Sequence, residues 1–207
     1  MSDKKFTYDD LKTLVDVPRE TFLKLEDYVA LLRKWQKQIN LISNTTLDDV
    51  WTRHIVDSAQ LINHIEKTDR VIDVGSGAGF PGVVLTILGV ENITMVESDS
   101  RKVAFLREAA RVSKINVAVL NKRIEEVPVD NFDVVTARAF ASLRDIFWAF
   151  EGRLMVRHKM LLLKGKSCDM EIKQAKENWS FDYEKFRSIT DPEGTVLLVK
   201  NIIKTVG

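Results

Sequence analysis

Cysteine is almost missing from this sequence. Cys168 stands alone, which excludes an internal disulfide and any cysteine-rich zinc site. Histidine is nearly as scarce: His54, His64 and His158 are scattered without a metal-ligand spacing, so a metal-free protein is expected. No apolar run approaches the length of a membrane span. The opening MSDKKFTYDD has no secretory hydrophobic region, and its acidic residues argue against a transit peptide. Internal repeats and low-complexity linkers are also lacking. These absences lead us to expect a cytoplasmic protein without a membrane partner. Nothing suggests an obligate interface, so a monomer is expected.

The 207 residues suit one substantial domain with a small extension, and 45% hydrophobic with 29% charged residues is ordinary for a globular chain. The net charge of +1 hides an uneven distribution. Residues 69–100 hold one basic and five acidic side chains, whereas residues 101–166 hold fourteen basic and seven acidic ones. A basic segment of this kind is either an electrostatic footprint for a polyanion or a set of solvated helix faces.

Up to about residue 65 the pattern is helical. Leu25, Tyr28, Val29, Leu32, Trp35 and Ile39 recur at three- and four-residue steps, with Pro18 opening the helix. A second helical stretch is predicted from about Asp48 to Ile65. From Arg70 onward strands alternate with helices: "RVIDVG", "NITMVES", "INVAVLN", "FDVVTARA" and "KMLLLKG" are the strands. This alternation predicts a parallel sheet covered on both faces. "FDYEKFRSI" and "GTVLLVKNI", separated by the turn Asp191-Pro192-Glu193-Gly194, predict a closing antiparallel hairpin. The division expected is a helical extension over residues 1–66 and an α/β domain over 67–207.

Glycine is used sparingly except in "DVGSGAGFPG", where four of the nine fall between Gly75 and Gly82. Gly75, Gly77 and Gly79 follow the first strand, where ligands of open α/β sheets bind. Glycine there brings a ligand close to the main chain. Pro81 suits the start of the next helix. Glu97 ends the second strand about twenty residues on, where a carboxylate accepts from both ribose hydroxyls. The spacing G-x-G-x-G-x-x-G departs from the dinucleotide G-x-G-x-x-G. It is typical of Rossmann-like class I S-adenosylmethionine-dependent methyltransferases, whose mostly parallel seven-stranded sheet ends in an antiparallel hairpin.

The blocks "LLRKWQKQINLIS", "RHIVDS", "DVGSGAGFPG", "ESDSRKVAFLRE", "KRIEE" and "ARAFASL" occur here in order. Together they resemble the bacterial 16S ribosomal RNA guanine-N7 methyltransferases of the RsmG family, also called glucose-inhibited division protein B. The resemblance covers Leu31 to the "LLLKG" at 161–165. It implies S-adenosyl-L-methionine as donor and guanine 527 of 16S rRNA, in the 530 loop of the small ribosomal subunit, as acceptor. It also implies cofactor contacts at Gly75, Phe80, Ile124, Glu125 and Arg138. Guanine N7 carries a lone pair and no proton, so an in-line transfer needs no general base, and an arginine reading O6 would orient the base.

Arg53, His54, Asp57 and Ser58 form two i, i+4 pairs on a helix, read either as a helix-capping or surface ion-pair cluster or, at the pocket rim, as a lid over the cofactor pocket or an RNA phosphate contact. Lys164, ending the fifth strand, is either a phosphate contact or a solvated strand end. Arg101, Lys102, Arg107, Arg111, Lys114, Lys122, Arg123 and Arg144 are candidates for the RNA backbone only as a group. Trp35 and Trp51 are candidates for stacking on a base, with Trp35 more in keeping with a core position. A same-fold enzyme with another acceptor and a non-catalytic RNA-binding protein stay open as alternatives.

Overall fold

A computed structural model describes residues 7–13, 15–155 and 157–205; the opening MSDKKF, part of the stretch read for targeting signals, lies outside them. The apolar runs form β1 (Val71–Val74), β2 (Ile93–Glu97), β3 (Ala118–Asn121), β4 (Val134–Arg138) and β5 (Lys159–Lys164). The last two strands are β6 (Trp179–Arg187) and β7 (Thr195–Lys204). All seven join one sheet in the order β3-β2-β1-β4-β5-β7-β6. Pairings among β1 to β5 are parallel, and β7 runs antiparallel to both β5 and β6. The expected hairpin turns where the Gly194 N–H donates to the Asp191 carbonyl at 2.9 Å.

Alternation along the strands sorts side chains onto two faces. Val71, Ile93, Val134 and Leu161 point toward the side covered by α2 (Arg19–Gln36), which follows the short α1 (Tyr8–Lys12), and by α4 (Gly82–Ile87) and α5 (Ser100–Val112). Ile72, Val74, Val135 and Leu162 point toward α6 (Leu143–Ala149) and α7 (Cys168–Ala175). Over β1, β2, β4 and β5 both faces are therefore buried, which is why these strands read as continuous apolar runs.

Asp73 breaks that run. It is fully buried beside Thr136, its register partner on β4, whose hydroxyl donates to it at 2.9 Å. The Gly82 N–H, at the first residue of α4, donates to its other oxygen at 3.3 Å. Burial pushes the carboxyl pKa up to about 6, and these hydrogen bonds oppose the rise. The close approach explains Gly82: a Cβ there would lie 2.7 Å from the Asp73 carboxylate and 2.9 Å from the Met95 side chain. Because both neighbours are fully buried and Asp73 is held by hydrogen bonds, Gly82→Ala is expected to destabilise the protein by about 1–3 kcal/mol. A urea titration showing an unchanged midpoint would contradict this packing argument.

The N-terminal layer shares the core instead of sitting apart from it. Phe22, Leu25, Tyr28, Val29 and Leu32 form the buried stripe of α2. Tyr28 and Trp35 both meet the ring of Phe105 on α5. Trp51 stacks on Phe22, with ring centroids 5.2 Å apart. Both tryptophans are thus engaged by core aromatics. Pro18 holds the cap position and α2 starts one residue later than a proline inside the first turn would place it. The helix stops at Gln36, short of Ile39. The Gln36 side chain accepts from the N–H groups of Leu41 and Ile42 (2.9 and 3.1 Å) and so supports the loop that replaces the next turn.

The predicted helix from Asp48 to Ile65 is not one regular helix. A π-helical turn (Trp51–Val56) leads into α3 (Asp57–Ala59) and then a 3₁₀ turn (Gln60–His64). With i→i+5 bonding, residues four apart no longer stack above one another. That alters the polar cluster expected there.

Candidate functional site

In this strand order the chain leaves β1 toward β2 on one side and meets β4 on the other. The loops after β1 and β4 diverge and open a crevice. A cavity of about 870 Å³ occupies it, bordered by the loops after β1 to β4, by residues 40–46 and 53–57, and by the β6–β7 turn. Its volume falls in the range of small-molecule sites.

Gly77 lies at the cavity wall with φ of +55°, and a Cβ there would meet nothing nearer than the Gly75 carbonyl at 3.7 Å. The space over its main chain belongs to the cavity. The Gly77 N–H donates to one Glu97 oxygen at 2.9 Å, and the Asp99 N–H donates to the other at 2.8 Å. Glu97 is buried, and each oxygen keeps a second lone pair for a further donor. Beyond β3, Ile124 presents a buried apolar wall and Glu125 an exposed carboxylate beside it. Lys102, Lys122 and Arg123 border the same edge and make no ion pair among the described residues. The glycine turn itself is held from the N-terminal layer, where the buried Tyr28 hydroxyl donates to the Ala78 carbonyl. Burial raises the Tyr28 pKa well above its ordinary value and keeps that donor neutral.

At the end of β4, the largely buried Arg138 guanidinium lies over the Phe80 ring, 5.1 Å from its centroid. It donates to the Arg53 carbonyl at 3.0 Å, faces the Asp57 carboxylate at 3.5 Å and contacts His54 Nδ1. A guanidinium has only donors, so His54 Nδ1 must accept. The imidazole proton therefore sits on Nε2, which donates to the Thr46 hydroxyl at 2.8 Å. The His54 ring also stacks on Phe80 with centroids 4.9 Å apart. Burial, then the Arg138 charge, lowers the His54 pKa to about 3.

A histidine that must stay neutral when folded ties stability to pH. Between about pH 6.5 and 3 the unfolded chain binds this proton and the folded chain does not. The contribution is present above pH 6.5 and is lost as pH falls, by up to about 1.4 kcal/mol per unit. Asp73, raised to about 6, acts with the opposite sign between about pH 4 and 6. Subtracting the stability profile of His54→Gln from that of the native chain cancels Asp73 and isolates the histidine. A flat difference between pH 7 and 5 would overturn the assignment.

A family description, rRNA small subunit methyltransferase G (GidB), matches residues 22–197. A protein named Ribosomal RNA small subunit methyltransferase G from Rickettsia felis is 45% identical over 194 residues, covering 93% of this chain and 100% of the relative. One of the same name from Rhodospirillum rubrum is 48% identical over 189 residues, covering 91% and 94%. The chain belongs to the rRNA small subunit methyltransferase G family. Among solved structures, MtNAS in complex with MTA and tNA aligns with a TM-score of 0.61 at 11% identity, covering 96% of this chain and 83% of that one. Ribosomal protein L11 methylase from Lactobacillus delbrueckii subsp. bulgaricus aligns at 0.56 with 20% identity, covering 70% and 76%. At these identities the likeness shows the fold, which is the class I methyltransferase architecture.

In this member of the rRNA small subunit methyltransferase G family, most of the candidate side chains converge. Gly75, Gly77, Phe80, Glu97, Ile124, Glu125, Arg138, Arg53, His54, Asp57 and Lys164 all border the one cavity. Gly79, Ser58 and Arg144 stand off it. Gly79 packs against Val83 as the turn enters α4. The Ser58 hydroxyl is buried and donates to the His54 carbonyl at 2.7 Å. Arg144 is exposed on α6.

The i, i+4 side-chain pairs are replaced by contacts across the fold. Arg53 pairs with Asp191 of the hairpin turn at 2.6 Å, and Asp57 accepts from Thr190 at 2.9 Å. Lys164 is not a solvated strand end; it is largely buried and pairs with Glu171 at 2.8 Å. Arg101 and Arg111, from the basic group, pair with Asp99 and Glu108. Sequence reasoning did not single out Asp73, Tyr28 as a hydrogen-bond donor, or Phe140 at the cavity. The one visible signal was Asp73, a charge inside an otherwise apolar strand. Among the described residues no group of histidine, cysteine or acidic side chains is placed to hold a metal.

Proposed function

We propose that this protein transfers a methyl group from S-adenosylmethionine to N7 of guanine 527 in 16S ribosomal RNA. Family membership supports the coarser statement, an S-adenosylmethionine-dependent methyltransferase of 16S rRNA. The observation that carries the cofactor site is the Glu97 carboxylate bound to the Gly77 N–H beside open space. In this reading residues 67–207 are the cofactor-binding domain and residues 1–66 a helical extension packed on it.

The chain's residues have the following roles in that reading. Glu97 accepts from the ribose hydroxyls, and the Gly75–Gly77 main chain lies against the donor's amino-acid portion. Ile124 packs on the adenine, with Glu125 near its exocyclic amine. Phe80 and Arg138 stand between this site and the acceptor side. When bound, the donor supplies a sulfonium methyl: the N7 lone pair forms the N–CH₃ bond as the S–CH₃ bond breaks, its electron pair stays on sulfur, and the positive charge passes to the base. No proton is released at N7, so none of these side chains has to act as a general base. Arg138 is held rigidly by Phe80, Asp57 and the Arg53 carbonyl, and it orients the base through O6. Lys102, Lys122 and Arg123 offer uncommitted positive charge for RNA phosphates.

Calorimetry with S-adenosylmethionine tests the donor, and no binding at millimolar cofactor would sink it. Mass mapping of 16S rRNA from cells with and without the protein tests the acceptor. Loss of one methyl at guanine 527 is expected, and loss at another nucleotide or in a protein would reassign it.

A further inference from the structure

Among the described residues, Phe140 is the one large apolar side chain at the cavity that is also exposed, with 38% of its surface accessible. Its ring lies directly against Gly75: a Cβ on that glycine would fall 2.2 Å from the ring edge. An aromatic ring is therefore seated on the main chain of the glycine turn while part of it remains open to solvent.

The backbone around Phe140 is built to keep it there. Ala139, between Arg138 and Phe140, has φ of +49°, in the left-handed region that side-chain-bearing residues avoid. Such a conformation persists only where its surroundings enforce it. Here the Lys164 ammonium donates to the Ala141 carbonyl at 2.8 Å, and the Leu143 N–H donates to the Glu171 carboxylate at 2.9 Å. Lys164 and Glu171 pair with each other at 2.8 Å and are both largely buried, so one ion pair grips the loop on either side of Ser142. The strain at Ala139 turns Phe140 toward the cavity and away from the hydrophobic layer under α6.

We infer that Phe140 is the stacking platform for the acceptor base. This deepens the function proposed above and rests on it. The acceptor in that reading is a planar purine withdrawn from its RNA stack, and an aromatic face beside the donor site replaces the stacking it loses. The neighbouring Arg138 supplies the in-plane hydrogen bonds and Phe140 the face. Neither group alone fixes both the tilt and the rotation of the ring. Lys164 and Glu171 are positioning residues that act through the loop.

The test uses the full chain and Phe140→Ala, Phe140→Leu and Phe140→Tyr. Donor affinity is measured by calorimetry and transfer kinetics on small subunits lacking the modification. A stacking platform predicts a rise in the RNA KM, or a fall in kcat/KM, of roughly tenfold to a hundredfold for Phe140→Ala. Phe140→Tyr should approach the native value, Phe140→Leu should fall between, and donor Kd should stay within about twofold throughout. A donor Kd weakened as much as kcat/KM, or a leucine variant as active as the tyrosine one, would make Phe140 a wall of the donor site and overturn the proposal.

A second readout does not need turnover. With S-adenosylhomocysteine bound, a 530-loop RNA carrying a fluorescent guanine analogue that keeps O6 at the target position should be quenched by the native chain and not by Phe140→Ala. Equal quenching by both overturns stacking. Quenching by a native chain that methylates no RNA would leave stacking standing and remove the proposed function instead.

Discussion

Glu97→Gln is expected to weaken S-adenosylmethionine binding by about 2–3 kcal/mol, roughly thirtyfold to a hundred-and-fifty-fold. Two main-chain N–H groups already point at the carboxylate, one on each oxygen. The proposed ribose hydroxyls bring two further donors. An amide replaces one oxygen with a donor that faces the N–H of Gly77 or Asp99, so it loses an acceptor and adds a repulsive contact. The loss should appear in the calorimetric Kd for the cofactor, and equally for S-adenosylhomocysteine, because both carry the same ribose. Glu97→Asp retains the charge but retracts it from Gly77, and should fall between. An unchanged Kd in the glutamine variant would remove Glu97 from the ribose and leave it as a structural anchor of the turn.

Arg138→Ala should be more damaging to the fold. It strips the charge that faces Asp57, a carboxylate whose pKa burial already raises and which the Arg138 charge holds down. Removing one partner of a largely buried pair costs about 3–5 kcal/mol, because the remaining charge is left uncompensated. His54 Nδ1 and the Arg53 carbonyl lose their donor as well. The variant should therefore melt at lower temperature, and more of that loss should be recovered near pH 5 than at pH 8, since protonating Asp57 relieves it. Arg138→Lys keeps the charge but has no planar fork to meet His54, Asp57 and the carbonyl together. It should be the more stable of the two and still nearly inactive on RNA. A lysine variant with native kcat/KM would show that only the charge is used.

The sheet was largely legible because two buried faces give strands that read as apolar runs, and each run ended at a glycine or polar residue. "RVIDVG" and Glu97 are local signals: a glycine after a strand, and an acid at the next strand's end. What stayed hidden depends on contacts between distant residues or on fine helical geometry. Periodicity over 48–65 indicates a helix but does not distinguish α from π, and that difference separates Arg53 from Asp57 and sends each to the β6–β7 hairpin or β4. Lys164 read as a strand-end charge because Glu171 reaches it from the next helix. Phe140 in "ARAFASL" looks like any loop aromatic until the left-handed Ala139 turns it onto Gly75.

The hydroxyl of Tyr28, donated to Ala78, has a consequence for where ligand binding will be felt. Opening α2 breaks a bond that holds the glycine turn, so a ligand that favours the closed turn also favours the closed helix. Amide hydrogen exchange in residues 25–32 should slow on adding cofactor although none of them touches the cavity. A shortened chain beginning after residue 66 would carry every proposed cofactor contact but not the brace that fixes the shape of the turn.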